Sequence, residues 1–484
     1  MPRSAKPRKL PVISLFSGAM GLDLGLERAG FTIAVAVECN KYAVETIRLN
    51  RPDLPIIDKC IEDVTTKEIL KAAGLKPGDP VVVSGGPSCQ VFSTAGQRGS
   101  LGDPRGTLFE HFVRVVREAK PRFFVMENVR GLLSAAVKHR PLGERGPGYP
   151  PLEPDEELGS AFRVVTAKLK ELGYYVVFDV LNAADYGVPQ RRQRLVIIGS
   201  RLGENIRMPA ATHSETGDNG RATWRTLKAA IGELAEDNPE FYQFCPAKEK
   251  YLKKVPEGGN WRDLPENLRK KALGKAYVSW GGRSGFFRRL AWDRPSPALT
   301  TRPDSKATSL CHPTRLRPLT VREYARIQQF PDTWVFAGMV RKKYEQVGNA
   351  VPLGLGEAIG EAIRKAMRSR KKRGRNGQVE CWNTDLLAKL SRRPRTILNP
   401  PRMRKDSEEE TIADWLDDGP RMRDDAMSYV APELADELQC LINGSTRKDR
   451  NGKARKKRSD PKSAAKSRKD HGKAEVPLRL AAAE

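Results

Sequence analysis

Short apolar runs alternate with amphipathic segments through the first two hundred residues of the chain. The apolar runs, which predict strands, occupy residues 12–16, 33–37, 81–83, 123–126, 176–180 and 195–198. Segments with a helical spacing of apolar residues lie between them at 22–29, 43–49 and 112–119. Strands that alternate with helices in this way predict an α/β fold with a doubly wound, mostly parallel sheet.

The pattern changes in the middle of the chain. From about residue 209 to 292, Gly, Asn, Pro and charged residues dominate, which predicts a smaller, loop-rich domain inserted into the first. Helical periodicity returns at 320–328 and 353–367. Six segments are therefore expected. They are a basic N-terminal arm (1–9), the first part of the α/β domain (10–205), the small domain (206–312, variable part 206–291), the returning part of the α/β domain (313–367), an extension (368–446) and a basic, disordered tail (447–484).

Charge and composition narrow the class of partner. The 484 residues include 86 Lys and Arg against 59 Asp and Glu, a net charge of +27. Such an excess favours a polyanion, with nucleic acid as the first candidate. No apolar run is long enough for a membrane helix, so a cytoplasmic, nucleoid-associated protein is expected. The seven cysteines include no Cys-X-X-Cys pair, which argues against a disulfide framework or a zinc site.

A glycine-containing turn follows the first strand. Phe16-Ser-Gly-Ala-Met-Gly21 precedes a helix, and small residues there let the backbone approach a ligand at the helix N-terminus. Glu38 ends the second strand, where a carboxylate accepts hydrogen bonds from the ribose hydroxyls of a nucleoside cofactor. Asp63 follows a short apolar run and could hold an adenine amino group. Without the glycines, Glu38 would read equally well as a solvated carboxylate at a strand end.

Reactive side chains follow later strands. Cys89 stands on a loop after the strand at 81–83, among Pro, Ser and Gln, which favours an exposed nucleophile over a buried thiol. Glu127 ends the next strand, and would face Cys89 across one cleft as a general acid. Arg192 and Arg194 fall on one face of a strand by alternation, which suits a phosphate or a base carbonyl. Read singly, Glu127 is an ordinary strand-end residue and the arginines are a solvated basic edge.

Taken in order, these residues resemble the motifs of the DNA (cytosine-5) methyltransferase family. The matching blocks are Leu15-Phe-Ser-Gly-Ala-Met-Gly21, Glu38, Gly85-Gly-Pro-Ser-Cys-Gln-Val-Phe-Ser93, Arg105-Gly-Thr-Leu-Phe109, Glu127-Asn-Val129, Gln190-Arg-Arg-Gln-Arg194, Arg294-Pro-Ser-Pro-Ala-Leu-Thr300, Pro318-Leu-Thr-Val-Arg-Glu-Tyr-Ala-Arg-Ile-Gln-Gln-Phe-Pro331 and Gln346-Val-Gly-Asn-Ala-Val-Pro352. The resemblance spans about residues 10–367 and implies a Rossmann-like fold that uses S-adenosylmethionine and no metal. Met20 and Ser88 depart from it, since the family usually has Gly and Pro at these positions.

The resemblance also implies a role for each matching residue. The Cys89 thiolate would attack a cytosine flipped out of duplex DNA, which is methylated at carbon 5 through a covalent adduct. Glu127 would act at ring nitrogen 3, while Arg192 and Arg194 would hold the base carbonyl and the Cys89 loop. S-adenosylmethionine would contact Phe16, Gly18, Gly21, Glu38, Asp63, Pro87, Leu108, Asn349 and Val351.

The small domain is expected to read the DNA sequence. Candidates for DNA contacts are Gln90, Ser93, Asn260, Arg283, Arg288 and Arg289, although each arginine, taken singly, reads more readily as a phosphate contact or a solvated charge. The expected setting is a monomeric prokaryotic or viral enzyme that protects host DNA, with a cognate restriction endonuclease as a genetic partner only.

Three alternatives remain open from the sequence. An RNA (tRNA) cytosine-5 methyltransferase on the same fold would methylate tRNA rather than duplex DNA. A catalytically silent DNA-binding protein would not need Cys89 and Glu127 together. A nicotinamide-dependent dehydrogenase fits Glu38 and the glycine turn, but leaves the Cys89 loop and the block at 294–300 unexplained.

Overall fold

The computed structural model describes residues 10–87, 108–138, 140–141, 144–145, 148–278, 283–369 and 378–381. The arm 1–9, the tail 447–484 and most of the expected extension lie outside these residues, as do Cys89, Gln90 and Ser93. Every described residue belongs to the first of two compact units, Met1–Ala435, and the second unit, Asp436–Glu484, lies wholly outside the described residues.

Strands and helices alternate along the first part of the chain. The strands are β1 (Pro11–Leu15), β2 (Thr32–Glu38), β3 (Ile56–Asp58), β4 (Val82–Gly85), β5 (Phe123–Val129), β6 (Tyr175–Asn182), β7 (Gln190–Arg191), β8 (Gln193–Ser200), β9 (His213–Ser214), β10 (Ala222–Thr223), β11 (Ser296–Pro297) and β12 (Val379–Cys381). The α-helices are α1 (Gly21–Arg28), α2 (Lys41–Asn50), α3 (Thr66–Ala73), α4 (Leu108–Ala119), α5 (Ser160–Glu171), α6 (Leu227–Ile231), α7 (Pro246–Leu252), α8 (Glu266–Leu273), α9 (Val321–Ile327), α10 (Val340–Asn349) and α11 (Leu353–Arg368).

One eight-stranded sheet organises the larger domain. Its strand order is β3-β2-β1-β4-β5-β8-β6-β12. Neighbouring strands are parallel except that β8 runs antiparallel to both β5 and β6. The link from β6 to β8 is short, and a parallel crossover needs about a dozen residues or more, so the chain turns back on itself there. The predicted doubly wound, mostly parallel sheet is confirmed.

Apolar residues that alternate along the strands feed two cores, one on each face of the sheet. In β1, Val12 belongs to the core covered by α1, α9 and α11, whereas Ile13 and Leu15 belong to the core covered by α3, α4 and α5. A strand buried on both faces reads as a continuous apolar run rather than as an alternating one. This explains why the sequence pattern marks these strands so clearly.

The elements that were not predicted from the sequence include α3, α5 and β12. The ends of α3 carry strong local signals, because Thr65 and Glu68 form a capping box and Gly74 closes the helix with φ +65°. The helix α5 has a weaker apolar pattern. The strand β12 pairs in parallel with β6 at the edge of the sheet, so the sheet continues beyond residue 367, into the segment expected to be an extension.

Glycines allow α1 and α11 to pack at close range. An ideal Cβ on Gly25 would lie 2.4 Å from the carbonyl oxygen of Leu353, and one on Gly356 would lie 2.9 Å from that of Leu22. These distances are far below ordinary contact, so larger residues would push the two helices apart. The close approach brings the segment between α10 and α11 beside the turn that follows β1.

A separate core lies within the segment that is predicted to form the small domain. Phe244, Trp261, Phe287 and Cys311 belong to a buried cluster separate from the two cores of the sheet. The earlier residues Leu227 and Ile231, in α6, pack instead with the larger domain. Among the residues that the structure describes, no helix is both long and apolar enough to cross a membrane.

Candidate active site and cofactor cavity

The turn after β1 is built from left-handed backbone. Phe16, Gly18 and Met20 have φ values of +55°, +54° and +68°. Met20, which stands where the resemblance leads one to expect glycine, accepts this strained conformation while its side chain is fully buried. Gly21 must be small, because an ideal Cβ there would lie 2.2 Å from the carbonyl oxygen of Val351. The turn therefore fits closely against the segment between α10 and α11.

Glu38 closes this turn at the end of β2. One carboxylate oxygen accepts the Gly18 N–H at 2.8 Å, and the other accepts the N–H groups of Cys39 and Asn40 at 3.0 and 2.8 Å. A carboxylate can accept about four hydrogen bonds, so the three amides orient it and leave room for a further donor. The side chain is thus fixed at the rim of the turn, as its position at the strand end predicts.

A cavity of about 270 Å³ lies over the turn. Its wall brings together residues from both ends of the larger domain, and six of the nine residues predicted to bind a cofactor line it. These six are Phe16, Gly18, Gly21, Glu38, Asn349 and Val351. A glycine turn, a strand-end carboxylate and a helix N-terminus around one cavity define an α/β enzyme that binds a nucleoside cofactor.

The other three predicted cofactor residues lie outside this wall. Asp63 is exposed on a short 3₁₀ helix, Ile61–Asp63. Pro87 and Leu108 flank the segment 88–107, which lies outside the described residues. The carbonyl oxygen of Pro87 accepts the amide of Asn128 at 3.0 Å, which anchors the start of that segment to the end of β5.

Asp23 is a cavity residue that the sequence analysis missed. It lies in the first turn of α1, is only 1% exposed and lines the cavity. Burial raises its pKa from 3.8 to about 7, although a hydrogen bond from Ser14 acts in the opposite direction. Its Oδ1 has no hydrogen-bond partner among the described residues. The signal in the sequence was a charged residue on the apolar face of a helix.

Glu127 and Arg194 form a largely enclosed ion pair beside the same cavity. The Nε of Arg194 lies 2.8 Å from Oε1 of Glu127, with side-chain exposures of 15% and 13%. Burial raises the pKa of Glu127, while Arg194 and Arg192 oppose that rise. An ideal Cβ on Gly86 would lie 3.0 Å from the carboxylate. Glu127 therefore sits against the chain that leads from β4 into the Cys89 segment, and Glu127 itself lines the cavity.

Arg192 has a different environment from the one that alternation predicts. It lies between β7 and β8 and is 3% exposed. Its guanidinium donates to the carbonyl oxygens of Leu299 at 3.0 Å and Gly348 at 2.7 Å. Burial lowers its pKa well below the usual value. Arg192 thus ties together three distant segments of the chain.

Most of the DNA-contact candidates that the structure describes bind their own chain. Asn260 caps the 3₁₀ helix Trp261–Asp263. Arg283 donates to the carbonyls of Ala276 and Tyr277 and packs over the Trp261 ring. Arg288 bonds to Ser284.

Arg289 has the most buried side chain of these DNA-contact candidates. This side chain is 8% exposed, and it donates to the carbonyl oxygens of Leu252 and Val255, both at 2.8 Å, and of His312 at 3.2 Å. A buried guanidinium needs this many acceptors, because an unpaired one is costly to bury. Its charge is therefore used inside the small domain rather than on the surface.

Residues 10–365 match the family of C-5 cytosine-specific DNA methylases. The Type II methyltransferase M.Eco47II of Escherichia coli is 38% identical over 363 residues, which cover 73% of this chain and 78% of that protein. The Type II methyltransferase M.Sau96I of Staphylococcus aureus is 37% identical over 366 residues, covering 74% and 76%. The chain belongs to this family and is a DNA (cytosine-5) methyltransferase.

The fold has a match among solved structures. A DNA modification methyltransferase encoded within an E. coli prophage superposes with a TM-score of 0.51 at 23% identity, over 75% of this chain and all of that one. The family establishes S-adenosylmethionine as the methyl donor and DNA as the substrate. The family assignment thus favours DNA methylation over the RNA-directed, silent and dehydrogenase alternatives.

Proposed function

We propose that the cavity over the β1 turn binds S-adenosylmethionine, with Glu38 on the ribose and Asp63 on the adenine. The glycine turn and Asn349 and Val351 would enclose it, with Pro87 and Leu108 completing the pocket. The ionisable groups lining the cavity support this assignment. Among the residues that the structure describes, the carboxyl groups of Asp23, Glu38, Glu127 and Glu345 line it against a single lysine, Lys342, and the cofactor carries a sulfonium and an ammonium against one carboxylate.

When bound, S-adenosylmethionine supplies an electrophilic methyl group. Carbon 5 of cytosine is a weak nucleophile, so the Cys89 thiolate adds to carbon 6 and moves electron density to carbon 5. Once carbon 5 has been methylated, its proton leaves and the bond from Cys89 to carbon 6 breaks, which restores the aromatic ring and the thiolate. The base must leave the duplex stack for this to happen.

Glu127 acts at ring nitrogen 3 of the flipped-out base. A buried carboxyl with a raised pKa can donate a hydrogen bond or a proton to ring nitrogen 3, which stabilises the charge that develops as the thiolate adds. Arg194 holds that carboxyl at 2.8 Å and would also meet the base carbonyl. Arg192 would support the site from behind through the carbonyls of Leu299 and Gly348.

The observation that carries the proposal is that Glu38 and Glu127 line one cavity. This joins the proposed cofactor and base sites. The test is methyl transfer to duplex DNA by Cys89→Ala, with Cys245→Ala, an exposed cysteine at the start of α7, as the control. Cys89→Ala should lose turnover yet bind S-adenosylmethionine within a few fold of wild type. Turnover by Cys89→Ala would overturn the mechanism.

A trapped adduct tests the same step directly. Duplex DNA with 5-fluorocytosine has no carbon 5 proton to lose, so wild type and Cys245→Ala should form a complex that survives denaturant, whereas Cys89→Ala should not. An adduct that survives in Cys89→Ala would place the nucleophile elsewhere.

The cofactor assignment has its own test. Glu38→Ala should weaken S-adenosylmethionine binding by roughly 1.5–3 kcal/mol, the range for hydrogen bonds to a charged group. Calorimetric titration measures this loss, and Glu45→Ala, which changes an exposed residue of α2, should bind normally. Unchanged affinity in a folded Glu38→Ala protein would mean that the cofactor lies elsewhere.

The setting that we propose is a restriction–modification system. The protein would act as a monomer in the cytoplasm, methylate a specific duplex sequence read by the small domain, and protect it from a cognate endonuclease. Residues 206–291 would set the sequence, and exchanging them for those of a relative should change the site that is modified. No metal would be needed, so turnover should persist in excess EDTA.

A further inference from the structure

Gln328 is a fully buried amide that links the cofactor cavity to a distant part of the site. It follows α9 and is 0% exposed. Its Nε2 donates to the carbonyl oxygens of Val347 at 2.7 Å and Ala350 at 3.1 Å. Its Oε1 accepts the side-chain amide of Gln190 at 2.9 Å. Both ends of the side chain are therefore in use.

The two carbonyls that Gln328 holds lie on either side of Asn349. They belong to the end of α10, where a helix leaves carbonyl groups without partners of its own. Arg192 holds the intervening carbonyl of Gly348. The segment 349–351 lines the cavity, and its Val351 carbonyl fits against Gly21 so closely that a Cβ on that glycine would overlap it at 2.2 Å. A small movement of this segment changes the cavity wall.

The same network reaches the chain that returns from the small domain. Gln190 accepts the Leu299 N–H at 3.0 Å, and Arg192 donates to the Leu299 carbonyl at the same distance. Gln190 thus connects Gln328 to the peptide unit of Leu299 through two hydrogen bonds. Buried amide networks of this kind are costly to leave half satisfied.

We propose that Gln328 is a positioning residue for the methyl donor. It fixes the segment 349–351 in the conformation that receives S-adenosylmethionine, so that binding does not have to order this wall of the cavity. The proposal rests on the assignment of Asn349 and Val351 to the cofactor site. Without the Gln328 amide, the segment samples other positions, and the cost of ordering it enters the dissociation constant.

The test is cofactor binding by Gln328→Met, which keeps the length of the side chain but removes its hydrogen bonds. The dissociation constant for S-adenosylmethionine should rise about tenfold, the effect of losing one to two hydrogen bonds, while kcat at saturating cofactor stays near wild type. The control is Tyr344→Phe, which removes a buried hydrogen bond to the Leu319 carbonyl that does not touch the cavity. This variant should lower the unfolding temperature and leave cofactor binding unchanged.

A second variant separates positioning from folding. Gln328→Glu keeps the acceptor for Gln190, but its carboxylate cannot donate to the carbonyls of Val347 and Ala350. Cofactor affinity in this variant, taken relative to wild type at each pH so that the titration of Asp23 cancels, should improve as the pH is lowered and the new carboxyl gains a proton. Wild-type affinity in a folded Gln328 variant overturns the proposal, and failure of both variants to fold would assign Gln328 to the fold alone.

A further arm distinguishes this proposal from the cofactor assignment on which it rests. Asn349→Ala removes a side chain from the cavity wall and should weaken binding by itself. If Asn349→Ala weakens binding and the Gln328 variants do not, only the positioning role fails. If none of these variants changes cofactor affinity, the cavity itself has been assigned to the wrong ligand.

Discussion

The buried carboxyl of Asp23 gives a prediction whose size follows from the structure. In the folded protein its pKa is raised to about 7, mainly by burial, against 3.8 for an exposed aspartate. Between these two values the folded protein binds more protons than the unfolded chain, so the free energy of unfolding falls as the pH rises through this window. A shift of about three units corresponds to roughly 4 kcal/mol when the whole window has been crossed.

The perturbation is Asp23→Asn, which keeps the shape of the side chain but cannot become charged. Below pH 4, wild type and Asp23→Asn should have similar stability, because both carry a neutral group. Above pH 7, wild type should be less stable than the variant by up to about 4 kcal/mol. Urea unfolding without cofactor, repeated at several pH values, measures this difference.

The comparison of two proteins at each pH cancels the titration of all other groups. Asp53→Asn, a change at an exposed aspartate, serves as the matched control and should follow wild type throughout. Parallel pH curves for wild type and Asp23→Asn would refute the assignment of a buried, neutral Asp23. The same experiment with S-adenosylmethionine should reduce the difference, because a nearby cation favours the charged carboxylate.

Three further predictions concern other parts of the chain. Gly21→Ala and Gly25→Ala should both lower the unfolding temperature, because a Cβ on Gly25 would push α1 away from α11 and one on Gly21 would push it away from the segment that precedes α11. Only Gly21→Ala should also weaken cofactor binding, because only its Cβ would meet a residue of the cavity wall, Val351; calorimetry on both variants measures the two effects. Arg289→Ala should lower the free energy of unfolding by roughly 3 kcal/mol, because it leaves buried carbonyl groups without a donor. Arg288→Ala should leave the free energy of unfolding nearly unchanged and should reduce the slope of log DNA affinity against log salt concentration by about one unit. Truncation after Cys440 should leave the modified sequence unchanged and make the slope of log DNA affinity against log salt concentration shallower by several units. The reason is that residues 447–474 carry 13 basic residues against 3 acidic ones and attract phosphates without reading bases. An identical slope would leave the tail without a role in DNA binding.

Local sequence patterns predicted most of the fold and most of the residues around the cofactor cavity. The turn 16–21 and Glu38 belong to one strand–helix–strand unit, and such a unit places the ends of its two parallel strands side by side. The amide of Gly18 bonds to Glu38 for this reason. The sequence pattern predicted the position of Glu127 equally well, because β4 and β5 are parallel neighbours whose carboxyl ends meet at the same edge of the sheet.

Local sequence patterns did not predict the antiparallel direction of β8 or the surroundings of Arg192 and Arg289. Alternation along a strand predicts a shared face for Arg192 and Arg194, but Arg192 lies between two strands and turns inward to Leu299 and Gly348. Arg289 stands in a basic, loop-rich segment that looks like surface, yet it is buried. A guanidinium can be buried where enough hydrogen-bond acceptors surround it. For Arg192 and Arg289 these acceptors are backbone carbonyls, and since every residue has one, the sequence does not show which of them will surround an arginine.

The sequence alone was enough to predict the α/β fold, the family and the glycine turn with Glu38. It also predicts Cys89 as the nucleophile and Glu127 as its acid partner. The environments of Asp23, Arg192 and Gln328 follow only from the way the chain packs. Periodicity and motif spacing describe neighbours along the chain, whereas a buried polar group is defined by the partners that satisfy it. The Gln190 amide that Gln328 binds lies 138 residues away along the chain, and only the folded chain brings β7 beside the end of α9.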